Sequence, residues 1–179
     1  MGGYEDPNQG GESLRMWKHY FPNGKIYSID IFDKSALQEE RIKIFKGSQV
    51  DRAFILKVVG EIGETDIIID DGSHVNRHVI ETFKLLFPLL KNGGIYVVED
   101  TQTAYWKPYG GGNRNRDNAN TSINFFKRLV DGLNYQEFPE KRYKPTYYDE
   151  NIVAMHFYHN LVFINKGLNN EGSNFINNG

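Results

Sequence analysis

Cysteine is absent from the 179 residues, which excludes disulfides, thiolate-bound metals and a cysteine nucleophile together. Long apolar runs are absent too. None approaches the roughly 18 residues a membrane helix needs, and the N-terminus lacks the basic-then-apolar layout of a signal peptide. A dominant charge is also missing: 21 Lys and Arg face 23 Asp and Glu, for a net charge of -2. No broad field therefore draws the chain toward nucleic acid or an anionic membrane. The expectation is a cytoplasmic protein that binds neither. What is present, 39% hydrophobic and 14% aromatic residues, suffices for the core of one domain over residues 1–166. The Asn- and Gly-rich tail, 167–179, is expected to be disordered.

From Ser13 to Phe21 the residues Leu14, Met16, Trp17, Tyr20 and Phe21 recur at helical spacing, and Pro22-Asn23-Gly24 stops the helix. Met16 and Trp17 read as its core face and His19 as a surface residue. Lys25 to Ile31 and Arg41 to Phe45 read as strands. Asp51 caps a helix with Phe54, Ile55, Val58 and Val59 on its apolar face, closed by Gly60 and Gly63. Ile67-Ile68-Ile69 has the β-branched pattern of a parallel strand buried on both faces, and it runs into Asp70-Asp71. A helix follows, with Val79, Ile80, Phe83, Leu86, Phe87 and Leu90 on one face and Asn92-Gly93-Gly94 as its stop. Ile95 to Val98 is the next strand and ends on Glu99-Asp100.

Lys107 to Asn120 is polar and glycine-rich and predicts a mobile surface loop. Asn120 or Thr121 then caps a helix carrying Phe125, Phe126, Leu129 and Val130. Ile152 to Phe157 and Leu161 to Ile164 flank Tyr158-His159-Asn160 as a hairpin. Strands alternating with helices before a terminal hairpin predict an α/β, doubly wound sheet. Ligands in such sheets bind beyond the carboxyl ends of the strands, where both acidic pairs lie.

Asp71, Glu99 and Asp100 come from the ends of two strands expected to be neighbours. Carboxylates so close raise one another's pKa unless a cation intervenes, and an all-oxygen set without cysteine suits a hard ion such as magnesium. His74 follows Asp71 by three positions and can face the same pocket as a general base. The competing reading makes these residues helix caps, with Ser73 and Asn76 as further capping candidates. Clustering of two acidic pairs at adjacent strand ends weighs against it. A zinc site on His74 and His78, one helical turn apart, is the lesser alternative because carboxylates already supply a harder site.

Gly2, Gly3, Gly10 and Gly11 precede the first helix, as in loops that approach a ligand closely. Asp30, ending the first strand, stands where nucleotide-binding α/β folds place an acid on ribose hydroxyls; a plain turn aspartate is the alternative. Gly47-Ser48-Gln49 is a candidate for adenine contacts. Tyr105, Trp106 and Tyr109, just after the second acidic pair, read as a sugar-stacking platform, with core or dimer packing as the alternative. Arg114 and Arg116 read as solvated loop residues.

Four stretches carry a family resemblance: Gly10 to Trp17, Ile69 to His74, Gly93 to Trp106 and His156 to Ile164. The chain resembles the class I, magnesium-dependent sugar O-methyltransferases of the mycinamicin and rhamnosyl-tetracenomycin type. The resemblance implies a Rossmann-like methyltransferase domain that binds S-adenosyl-L-methionine and magnesium and methylates a small-molecule glycoside of natural-product biosynthesis. It implies Asp71, Glu99 and Asp100 as magnesium ligands, His74 as base and Asp30 as ribose contact. Gly2, Gly3, Tyr4, Ser13, Asp30, Gln49 and Asp70 form the expected cofactor set. The implied reaction is direct, with two sugar hydroxyls chelated by magnesium and the deprotonated oxygen attacking the sulfonium methyl.

Family members have a hydrophobic first strand ending in an acidic-Gly-x-Gly motif, and Met1-Gly2-Gly3 falls inside that motif. The first central strand is therefore expected to be missing, and the domain N-terminally truncated. An inactive or fragmentary binding or scaffold protein of the same fold is the alternative function. A metal-dependent hydroxylase is a third reading, and homo-oligomerisation stays open.

Overall fold

The computed structural model describes residues 5–112, 116–140 and 142–173. The chain divides into two compact units, Met1–Gly63 and Glu64–Gly179. None of the described helices is long and apolar enough to cross a membrane.

In the first unit, helix α1 (Glu12–Tyr20) is followed by strands β1 (Ile26–Asp30) and β2 (Ile42–Lys46) and by helix α2 (Arg52–Ile62). The strands pair in parallel, from Ile26 opposite Ile42 to Asp30 opposite Lys46. Leu14, Ile42 and Ile44 are buried together, with Ile26 and Leu37 packed against them. Gly11 caps α1 at φ 81°, a left-handed conformation that glycine adopts without steric cost. Met16 departs from the expected core face and is 53% exposed, while Trp17 is half-buried. Asp51 caps α2 by accepting the Phe54 N–H at 3.1 Å. Gly63 ends that helix and Gly60 lies inside it.

The second unit holds a four-stranded sheet in the order β3-β4-β6-β5, from β3 (Thr65–Asp70), β4 (Leu90–Val98), β5 (Ile152–Tyr158) and β6 (Leu161–Lys166). β3 and β4 run parallel, and β6 lies antiparallel to both β4 and β5. Helices α3 (Asn76–Leu86), α4 (Ser122–Leu129) and α5 (Tyr147–Asn151) complete the unit. Its core packs Val79, Phe83 and Phe87 against Tyr96, Val98, Phe126, Ile152, Val162 and Ile164. Phe83 and Phe87 stack at 4.9 Å between ring centroids. Each such buried aromatic contributes on the order of 2–3 kcal/mol.

Three expectations are corrected here. The helix stops at Leu86, because Pro88, lacking an N–H, turns the chain into the 3-10 segment Phe87–Leu89. Leu90 therefore opens β4 instead of ending the helix, and the Asn92-Gly93-Gly94 stop lies within the strand, where the register against β3 shifts. Ile67 is 41% exposed, since β3 pairs with β4 alone and is an edge of this sheet. The tail begins ordered: Gly167 N–H donates to the Asn151 carbonyl, and the Asn169 amide reaches the carbonyls of Gly132, Leu133 and Asp149.

Candidate functional site

The register that ends with Asp70 opposite Val98 makes Asp71 and Glu99 the first residues beyond two adjacent parallel strands. The Glu99 N–H donates to the Asp70 carbonyl at 3.1 Å, continuing the ladder by one rung. Both chains then bend sharply. His74 has φ 55° and Asp100 φ 51°, left-handed conformations uncommon for residues with a Cβ. Beyond the hairpin, the Asn160 carbonyl accepts the Thr101 N–H at 3.2 Å and ties the β5–β6 turn to the acidic pair.

These bends bring ligand atoms of Asp71, His74 and Asp100 within 4.8 Å of one another. His74 Nε2 lies 3.7 Å from Asp71 Oδ1 and 3.6 Å from Asp100 Oδ2. Among the described residues, no lysine or arginine pairs with Asp71, Glu99 or Asp100. Glu99 stands outside the three-residue cluster but close to it. Burial, and then the charges of Asp71 and Asp100, hold its carboxyl above the usual glutamate range. Crowded carboxylates next to an imidazole, with no lysine or arginine pairing them among the described residues, are a donor set that fits a hard divalent ion.

The expected aromatic platform begins at the same place. Tyr105 and Trp106 are about half exposed, and the half-buried Tyr109 ring approaches His74 edge-on, 6.4 Å between centroids. Trp106 and Tyr109 are 6.0 Å apart. This stretch is folded where a loose loop is expected. Gly111 N–H donates to the Trp106 carbonyl and Gly112 N–H to the Tyr105 carbonyl, both at 2.9 Å. A Cβ on Gly111 would sit 2.3 Å from the Ala104 carbonyl oxygen, so the closure requires glycine.

Two residues of this region were not legible as site residues. Asn76, 2% exposed, sends its amide to the carbonyls of Ala104 (3.3 Å) and Tyr109 (3.0 Å). It thus bridges two segments where a helix cap is expected. Thr103 is buried, with its hydroxyl 2.7 Å from the Asp100 carbonyl and 3.3 Å from that of His74. The Ala104 and Tyr109 carbonyls for Asn76, and the His74 carbonyl for Thr103, lie too far along the chain to leave a local signal. Thr121 makes no side-chain cap on α4. His78 Nδ1 meets Ser73 Oγ at 2.9 Å and stands outside the cluster.

Of the expected cofactor residues, Asp30 ends β1 and accepts the Phe32 N–H through Oδ1 at 2.8 Å, as a turn aspartate does. A carboxylate retains further acceptor positions suited to ribose hydroxyls. Ser13 is exposed in the first turn of α1, Gln49 is half-buried in the turn after β2, and Asp70 is buried at the end of β3. Gly2, Gly3, Tyr4 and Arg114 lie outside the described residues.

The family profile of "Rhamnosyl O-methyltransferase/CmcI" matches residues 13–150. Mycinamicin VI 2''-O-methyltransferase of Micromonospora griseorubida is 47% identical over 173 residues, 96% of this chain and 43% of that protein. Demethylmacrocin O-methyltransferase of Streptomyces fradiae is 48% identical, over 96% of this chain and 44% of its own length. Among solved structures, the MycE methyltransferase of the mycinamycin pathway with Mg and SAH superposes with a TM-score of 0.91 at 47% identity, covering 96% of this chain and 44% of that one. A second MycE structure, holding Mg, SAH and mycinamycin VI, gives 0.90 with the same coverage. The chain thus spans less than half the length of the relatives it matches.

Proposed function

Because the chain belongs to the rhamnosyl O-methyltransferase/CmcI family, we propose that it carries out S-adenosylmethionine-dependent O-methylation of a sugar hydroxyl on a glycosylated small molecule, in the cytoplasm and with magnesium. Its fold is the α/β, Rossmann-like methyltransferase class with a C-terminal antiparallel hairpin. The observation that carries the proposal is the convergence of Asp71, His74 and Asp100 beyond two parallel strands, with Glu99 beside them.

In this reading Asp71, Glu99 and Asp100 hold the magnesium ion. Bound there, it would supply Lewis-acid polarisation that makes a sugar hydroxyl more acidic. His74 accepts the hydroxyl proton at Nε2, the atom that faces Asp71 and Asp100. Tyr109, whose ring edge meets His74, and Trp106 beside it offer apolar faces to a sugar ring, with Tyr105 at the start of the platform. Within the first unit, Ser13, Asp30 and Gln49 are assigned to S-adenosylmethionine, whose sulfonium methyl is the transferred group. Gly2, Gly3 and Tyr4 are carried with them on sequence grounds. Positioning, not a covalent enzyme intermediate, supplies the acceleration. Residues 1–166 are read as one methyltransferase domain.

Strain favours chemistry over a passive scaffold. Of the four described non-glycine residues in left-handed conformations, Arg41, His74, Asp100 and Asn160, two lie in the carboxylate cluster, at a cost of order 1–3 kcal/mol each. The test is methyl transfer from labelled S-adenosylmethionine to a 6-deoxyhexose glycoside. Transfer in magnesium, abolished by EDTA and by Asp71→Asn, is the expected result. Transfer indifferent to EDTA removes the metal from the reading, and a chain that neither transfers methyl nor binds S-adenosylmethionine in calorimetry removes the enzyme.

A further inference from the structure

Thr103 belongs to a five-residue 3-10 segment, Thr101–Tyr105, that starts directly after Asp100. Its backbone N–H already donates to the Asp100 carbonyl at 3.0 Å, so the hydroxyl is not needed to close that turn. The hydroxyl nevertheless sits 2.7 Å from the same carbonyl and 3.3 Å from the carbonyl of His74, 29 residues away. It therefore spans His74 and Asp100, both left-handed in backbone, whose side chains approach to 3.6 Å. A hydroxyl has one proton, which both carbonyls share.

We propose that Thr103 is a positioning residue for the candidate metal centre: its buried hydroxyl fixes the His74 turn against the Asp100 turn and so sets the spacing of the cluster. The inference rests on the metal reading above. Ligand atoms must be held to within a fraction of an ångström for a cation to bind well. Both turns are strained, and strained backbone persists only where its surroundings over-determine it. Asp100 has a second restraint in the Gln102 amide, which donates to its Oδ1 at 2.9 Å. For the His74 carbonyl, the Thr103 hydroxyl is the side-chain donor that the described residues supply.

The test is manganese binding, followed by electron paramagnetic resonance on the whole chain. Thr103→Val keeps the shape and removes the hydroxyl, whereas Thr103→Ser keeps the hydroxyl and removes the methyl. Val is expected to weaken Mn²⁺ binding about tenfold, the worth of one hydrogen bond read as an equilibrium constant. Ser is expected to stay within about threefold of the wild type, with both variants folded by circular dichroism. If Val does not fold, Thr103→Ala against Thr103→Ser makes the same comparison. Wild-type-like binding by Val or Ala, or a loss in Ser equal to theirs, overturns the positioning role and leaves the metal reading intact. A wild type that binds no Mn²⁺, or an Asp71→Asn variant that binds as well as wild type, overturns the metal reading and this inference with it.

Discussion

Asn76 Oδ1 accepts two hydrogen bonds from Ser122, one from its backbone N–H at 2.7 Å and one from its hydroxyl at 2.9 Å. The same side chain donates to the carbonyls of Ala104 and Tyr109, so its four-bond capacity is filled. One amide thereby joins the start of α3, five residues past Asp71, to the aromatic segment and to the first residue of α4.

Truncating that amide strands buried partners on both segments. Asn76→Ala is expected to cost about 3 kcal/mol, since each unsatisfied buried group costs about 1–3 kcal/mol. That corresponds to a Tm lower by roughly 6–12 °C for a chain of this size, read by thermal denaturation. A Tm within about 2 °C of the wild type would show that the hub is dispensable.

Glu99 titrates above the usual glutamate range because of burial and of the charges on Asp71 and Asp100. A carboxyl raised in the folded state is protonated there more readily than in the unfolded chain. In EDTA its contribution to stability is therefore fully present below the unfolded glutamate range and is lost as pH rises through the folded value. Glu99→Gln should raise the Tm in EDTA by about 1–3 °C at neutral pH and leave it unchanged near pH 4. Magnesium should then stabilise the wild type and not the variant. Equal magnesium stabilisation of both would exclude Glu99 from the cation site.

His74 lies in the cluster as an imidazole chemically suited to serve as ligand or as base, and the two roles separate experimentally. As base, His74→Gln lowers methyl transfer about 10²–10⁴-fold and leaves Mn²⁺ affinity within about threefold. A parallel collapse of Mn²⁺ binding would make the imidazole a ligand instead.

Gly111→Ala forces a methyl against the Ala104 carbonyl and the Tyr105 backbone. The expected outcome is an opened aromatic segment, a loss of about 1–3 kcal/mol and a change in Trp106 emission, isolated by Trp17→Phe in the same background. An unchanged emission spectrum would show that the closure tolerates a side chain.

The acidic pairs were readable because each ends a β-branched or apolar run and the two fall at the ends of neighbouring strands. The hairpin was readable from its polar turn, and α2 from the Asp51 cap. Leu90 and Ile67 misled for one reason: apolar periodicity reports that a residue has an apolar neighbour, not which element supplies it. Asn76 misled for another: a short polar side chain after a turn looks like a local cap, yet the carbonyls it serves lie 28 and 33 residues away. Thr103 carried no sign of its reach to the His74 carbonyl, 29 residues away. Left-handed geometry at His74 and Asp100 had no sequence sign either, since neither is glycine.

Those two left-handed positions set stability selection and chemistry against each other. Directed evolution for heat resistance, run without a screen for turnover, would favour glycine or asparagine at 74 and 100, where either relieves backbone cost. Each such gain deletes an imidazole or a carboxylate. A library sorted only on melting temperature should therefore enrich for silent, well-folded descendants, and the frequency of substitution at these two codons would measure how much stability the site withholds from the fold.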